Sequence, residues 1–180
     1  MFHLVDDKKD VAVRILADVC GLPATELVPY PNGYCHSVYR VQTGHHSYVL
    51  RVTGTDAEPY YRGALHWLPQ LSALGIPVPQ ILQHGSFEDV FYTLITFLPG
   101  TDIGNIYHTL DVAQKRVLAR DMATIQQKVS TLPAGSLYGY TADGALYQTW
   151  SDFLDSQIAR AAARIKQNGI GSSDICEKLQ

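Results

Sequence analysis

The chain has 180 residues, 46% of them apolar and 17% charged, with 14 Lys and Arg against 17 Asp and Glu. That composition is enough for a sizeable core and excludes a disordered or fibrous chain. Before residue 100 there are 6 basic and 9 acidic residues, and after it 8 of each, so no basic stripe exists for nucleic acid or an anionic membrane surface.

The first five residues, followed by Asp6, Asp7, Lys8 and Lys9, offer neither the basic start nor the apolar run of an export signal. A helix is predicted over 7–20, with Ala12, Ile15, Leu16 and Val19 on one face, Gly21 just past its end and Pro23 marking the stop. From 26 to 52 the pattern is strand-like: 27–30, a turn at Pro31-Asn32-Gly33, then 37–41, a tight turn at Gly44-His45, and 48–52. This is a three-strand antiparallel meander. A helix over 59–74 follows, apolar at Leu65, Leu68, Leu71 and Leu74, with Pro69 as a source of kinking and Gly75 closing it. Strands over 80–83 and 91–97, joined by a polar connection at Ser86-Phe87-Glu88-Asp89, complete a five-stranded sheet.

The longest apolar stretch, 90–98, is broken by Thr93 and Thr96 and is under half of the ~20 residues that cross a bilayer. Strand signals stop after Leu98-Pro99-Gly100. Residues 111–132 carry Leu118, Met122, Ile125, Val129 and Leu132 at 4-3-4-3 spacing, which predicts a helix with one buried stripe. Trp150, Leu154, Ile158, Ala161 and Ile165 do the same in a second helix, with Thr149 as cap and Asn168-Gly169 as stop. The change of period near residue 100 predicts two lobes, the second all helical. Cys20, Cys35 and Cys176 are odd in number and far apart, with no Cys-x-x-Cys pair, which argues against a disulfide framework or a zinc site. The expectation is a reduced, cytoplasmic protein without nucleic-acid or membrane partners.

Four short pieces carry a resemblance: Gly33-Tyr34-Cys35-His36-Ser37-Val38-Tyr39-Arg40-Val41, Tyr48-Val49-Leu50-Arg51-Val52, Leu74-Gly75-Ile76-Pro77-Val78-Pro79, and Thr96-Phe97-Leu98-Pro99-Gly100. In that order and at those intervals the chain resembles the aminoglycoside phosphotransferase family, kinase-like enzymes that phosphorylate small molecules. Leu118-Ala119-Arg120-Asp121-Met122-Ala123, Thr131-Leu132-Pro133 and Tyr138-Gly139-Tyr140 continue the likeness over nearly the whole chain. The resemblance implies an α+β, protein-kinase-like fold. Residues 1–98 would form a nucleotide-binding lobe with a five-stranded antiparallel sheet, and 99–180 the hinge and the first helices of an α-helical substrate lobe. It also implies transfer of the γ-phosphate of ATP or GTP, with Mg²⁺, to a hydroxyl of a small molecule such as an aminoglycoside-type antibiotic. Choline, homoserine and sugar-amine kinases share this layout.

Gly33 stands where the first hairpin would pass close to nucleotide phosphates, since a residue without Cβ lets backbone N–H groups approach; Asn32-Gly33 is also an ordinary hairpin turn. Ser37 belongs to the same segment and is carried over with it. Arg51 occupies the third-strand position where kinases carry a phosphate-pairing lysine, and arginine supplies that charge bidentately; a surface arginine on a sheet face is the other reading. Ile95 would lie against adenine, with main-chain groups of Thr96 and Leu98 bonding it. The helix glutamate that orients the basic residue in the family falls near Ala64, which has no carboxylate, and Glu58 would substitute only in a shifted register.

The catalytic His-Gly-Asp…Asn loop and the later metal-binding aspartate of the family have no counterpart. His84-Gly85-Ser86 reads as a turn between strands, and Asp143-Gly144 lacks a hydrophobic strand before it. His45-His46 reads as a polar hairpin turn. Asp152 and Asp155 share one helix and would meet a cationic substrate, or simply form its solvated face. The chain thus resembles an amino-terminal portion of a phosphotransferase, expected to be inactive alone and to self-associate through exposed apolar surface. A non-catalytic nucleotide-binding or interaction module is the alternative.

Overall fold

Alternation in the first hundred residues builds one antiparallel sheet in the order β1-β2-β3-β5-β4, from β1 (Glu26–Pro29), β2 (Ser37–Thr43), β3 (His46–Gly54), β4 (Ile81–Phe87) and β5 (Val90–Thr96). The computed structural model describes residues 8–22, 26–30, 36–133, 135–139 and 146–167. The chain divides into two units, Met1–Pro133 and Ala134–Gln180. The predicted turn at Pro31-Asn32-Gly33, the stop at Pro23, Asp143-Gly144 and Asn168-Gly169 lie outside the described residues.

Successive side chains in a strand face opposite ways, and here the two faces differ in what covers them. Tyr39, Val41, Leu50, Val52, Tyr92 and Leu94 form a core with Ala12, Ile15 and Leu16. Burying each large apolar side chain of that set contributes about 1.5–3 kcal/mol. Their partner is α1 (Lys9–Arg14), which widens into a π-type turn over Ile15–Val19. Gly21 closes it at φ +61°, and Leu22 N–H donates to Leu16 O at 2.8 Å, as a helix stop with a left-handed glycine requires. The Arg14–Glu88 ion pair and the bond from Gln83 Nε2 to Val19 O, 3.1 Å, tie this helix to β4 and its hairpin.

The opposite face takes α2 (Glu58–Ala73). Tyr61 stacks on Phe91 with centroids 4.8 Å apart, and its hydroxyl shares a hydrogen bond with His84 Nδ1 at 3.1 Å. His84-Gly85-Ser86 is strand rather than turn, which corrects the sequence reading: the three residues pair with Thr93, Tyr92 and Phe91, and the hairpin shrinks to Glu88-Asp89. Gly85 is there for close packing, because a Cβ would sit 3.1 Å from Cε1 and from the hydroxyl of Tyr92.

Beyond β5, α3 (Ile103–Ile106) and a 3₁₀ turn over Tyr107–Thr109 precede α4 (Val112–Val129). Asp111 and Gln114 form a reciprocal capping box, with Gln114 N–H donating to Asp111 Oδ1 at 2.8 Å and Asp111 N–H to Gln114 Oε1 at 2.9 Å. The apolar stripe of α4 is present but not buried, contrary to expectation: Met122 is 55% exposed and no described residue of the helix is buried. A period of 3.6 residues marks which face is apolar and says nothing of what covers it.

The second unit contains an isolated bridge between Tyr138 and Tyr147, so it is not all helical, and α5 (Trp150–Gln167). Thr149 caps α5 by accepting from Asp152 N–H at 3.1 Å. Phe153 is buried beside Trp150, 5.1 Å between centroids, whereas Trp150, Leu154 and Ile158 are exposed.

Candidate functional site

The sheet register collects a polar and apolar surface on the α2-facing side. Val38, Arg51 and Thr93 share one row across β2, β3 and β5, and Arg40, Val49 and Ile95 share the next. Thr53 follows, opposite Phe91. Ile95 is 1% exposed. Arg51 is half-buried, and burial draws its pKa below the ordinary arginine value without discharging it.

Among the described residues no carboxylate pairs with Arg51. Ala64 lies in α2 and brings no charge. Glu58, in the first turn of that helix, accepts from Arg62 Nε at 2.7 Å. A partly desolvated guanidinium without a counter-charge costs free energy until an anion reaches it. Its planar fork suits a phosphate oxygen pair.

His36 joins the same surface, which the sequence reading did not single out. Its Nδ1 is 2.7 Å from Thr53 Oγ1, and its ring meets Tyr60 edge-on at 6.2 Å. Its pKa is lowered first by burial, then by Arg51 and Lys8. Period-two alternation from Val38 and Arg51 was the available signal.

The other predicted residues divide. Ser37 pairs with Val52, so it shares the parity of Tyr39 and stands on the α1-facing side, away from Arg51. Gly33 lies outside the described residues. Thr96 donates its amide to Gln80 O at 3.0 Å, while Gln80 N–H donates to Thr96 Oγ1 at 2.9 Å. An ordinary hydrogen-bonded antiparallel pair exchanges two main-chain bonds; here the hydroxyl takes the second and the Thr96 carbonyl is not engaged by Gln80. Leu98 is exposed. Asp152 and Asp155 belong to α5 of the second unit, where Asp152 accepts from the Thr149 hydroxyl at 2.7 Å. Among the described residues no group of three or more His, Cys, Asp or Glu is placed to hold a metal. Cys20 is a free thiol whose pKa burial raises.

A family model, the phosphotransferase enzyme family, matches residues 26–168. The chain belongs to this family. Solved structures agree in fold. A thermostable mutant of aminoglycoside phosphotransferase APH(4)-Ia in apo form superposes with a TM-score of 0.65 at 17% identity, over 92% of this chain and 55% of that one. The gentamicin complex of APH(2")-IIa gives 0.64 at 14% identity, over 99% of this chain and 56% of that one. A ternary complex of an APH(4)-Ia mutant with AMP-PNP and hygromycin B gives 0.59 at 18% identity, over 84% and 50%. The chain therefore spans about half the length of these family structures. No curated protein matches it by sequence. The five-stranded antiparallel sheet with its helices is the kinase-like α+β fold of the family. No helix among the described residues is long and apolar enough to cross a membrane.

Proposed function

We propose that the chain supplies the nucleotide-binding lobe, residues 1–98, and the hinge with the first helices of the substrate lobe, 99–180, of a cytoplasmic ATP- or GTP-dependent phosphotransferase. Its acceptor is a hydroxyl of a small molecule, of the aminoglycoside type. The observation that carries this reading is Arg51, a half-buried cation without a carboxylate partner among the described residues, on the sheet face that also carries Val38, Val49 and Ile95. Val38 and Val49 receive the base above the buried Ile95, the Thr96 carbonyl and Leu98 amide bond it, and Arg51 holds the phosphates bidentately. The structures solved with AMP-PNP and hygromycin B, and with gentamicin, support nucleotide and aminoglycoside as the two ligand classes. Asp152 and Asp155 are the acids available to a cationic acceptor.

The second reading is a non-catalytic nucleotide-binding or interaction module that keeps the same Arg51 surface. Displacement of a fluorescent ATP analogue tests what the two share. ATP should displace it from the wild-type chain, and Arg51→Ala should need about tenfold more ATP, the worth of one charge-assisted contact. Equal displacement from both proteins would contradict the role of Arg51. Turnover of Mg-ATP over a panel of aminoglycosides and amino alcohols should be absent from the 180-residue chain on either reading, and turnover surviving repurification would show a catalytic carboxylate within it.

A further inference from the structure

The β2–β3 register sets Ser37 opposite Val52 and Val38 opposite Arg51, so one residue further along the hairpin His36 faces Thr53. The hydrogen bond between His36 Nδ1 and Thr53 Oγ1, 2.7 Å, fits that placement. Arg51 is then the diagonal neighbour of His36 on the same sheet face, about 7–8 Å away between Cα atoms and within reach of a ring and a long side chain. Nδ1 is engaged by Thr53, and Nε2 makes no hydrogen bond to any described residue. Among the described residues the half-buried imidazole therefore has one nitrogen without a partner, beside an arginine that has no carboxylate partner there.

We infer that His36 is a second anion contact beside Arg51, so that the site takes up a proton together with the phosphate it binds. This rests on the reading of Arg51 as a phosphate ligand. The Thr53 hydroxyl, 1% exposed, both donates and accepts. It donates to Nδ1 when the imidazole is neutral with its proton on Nε2, and it accepts from Nδ1–H when both nitrogens are protonated. Either state leaves an N–H at Nε2 for an anion, so protonation needs no rearrangement.

The groups that face His36 are Arg51 from β3, Lys8 ahead of α1, and the ring of Tyr60 from α2. Burial, Arg51 and Lys8 all lower its pKa, and no carboxylate among the described residues opposes them. The neutral imidazole is thus favoured in the free protein. A dianion between His36 and Arg51 offsets the arginine charge and favours the imidazolium, so the bound-state pKa lies above the free-state one. Affinity for the anion rises as pH falls through the interval between those two values, by up to about tenfold for each pH unit of that interval.

Sulfate is the appropriate first probe, because unlike phosphate it does not titrate between pH 5 and 8. The titration of His36 is followed by imidazole C–H NMR on the full chain, the resonance being assigned among the seven histidines by its loss in His36→Gln. Its midpoint should lie below the ordinary histidine value in the free protein, rise with saturating sulfate or ADP, and stay unchanged with adenosine. Sulfate affinity should increase several-fold from pH 7.5 to 5.5 in the wild type and stay flat in His36→Gln. His36→Asn, whose amide takes the place of Nδ1 against Thr53, gives the same comparison should the glutamine variant fold poorly. ADP bound with the His36 midpoint unmoved would overturn this inference and leave the nucleotide reading standing. A sulfate-induced rise with neither adenosine nor ADP bound would keep the anion site and remove the nucleotide reading. Failure of both sulfate and ADP to bind would overturn both.

Discussion

Replacing Arg51 by methionine should stabilise the free protein while weakening its hold on triphosphate. Arg51 stands between Val38 and Thr93 in the sheet register, burial already lowers its pKa, and no described carboxylate pairs with it. A fully buried unpaired ion costs several kcal/mol after relaxation. Arg51 is only half-buried, so a net gain of about 1–2 kcal/mol is expected from methionine, which keeps most of the aliphatic stem. For a chain of this length that raises Tm by roughly 2–8 °C. Urea and thermal unfolding without nucleotide measure the stability, and titration with ATP and adenosine measures the function. A loss of 1 kcal/mol or more in the ligand-free variant would mean that Arg51 holds the fold together. A stable variant whose preference for ATP over adenosine is undiminished would mean that the phosphates lie elsewhere.

Gly85→Ala should destabilise by about 1–3 kcal/mol in urea unfolding, since the new Cβ lands 3.1 Å from the ring and hydroxyl of the buried Tyr92; an unchanged midpoint would show that Tyr92 yields freely. Asp111→Ala removes one half of the capping box of α4 and should cost about 1 kcal/mol, read by the same assay. The exposed stripes at Met122, Ile125 and Val129 and at Trp150, Leu154 and Ile158 should make the 180-residue chain self-associate, with scattering mass rising across a concentration series; a constant monomer mass would contradict this.

The sheet was legible because runs of β-branched and aromatic residues stand between turn signals, and the helix stops at Gly21 and Gly75 because both take positive φ, which favours glycine. Where the sequence misled, local composition conflicted with packing. Gly85 and Ser86 look like turn residues, yet the glycine serves the approach of Tyr92 within a strand. The four residues of α3 are too few for a helical period to show. For α4 the apolar face was read correctly and its burial was not, because burial is decided by another element. In the site, the placement of Arg51 followed from strand parity. His36 escaped notice because its meaning lies in Thr53, 17 residues away and across a strand pair. Ser37 shows the opposite hazard: one step along a strand moves a side chain to the other face of the sheet.

Calorimetric titration of the wild-type chain with ATP and with adenosine, each with and without Mg²⁺, tests the central claim most directly. On the proposed reading, base contacts at Val38, Val49 and the Thr96 carbonyl need no metal, and Arg51 supplies the one permanent charge that meets the triphosphate, with His36 beside it. Both ligands should therefore bind weakly, ATP by no more than about tenfold the tighter, with little effect of Mg²⁺. Absence of binding by both ligands would contradict the nucleotide site, and tight, Mg²⁺-dependent binding of ATP would reveal a carboxylate metal site in these 180 residues.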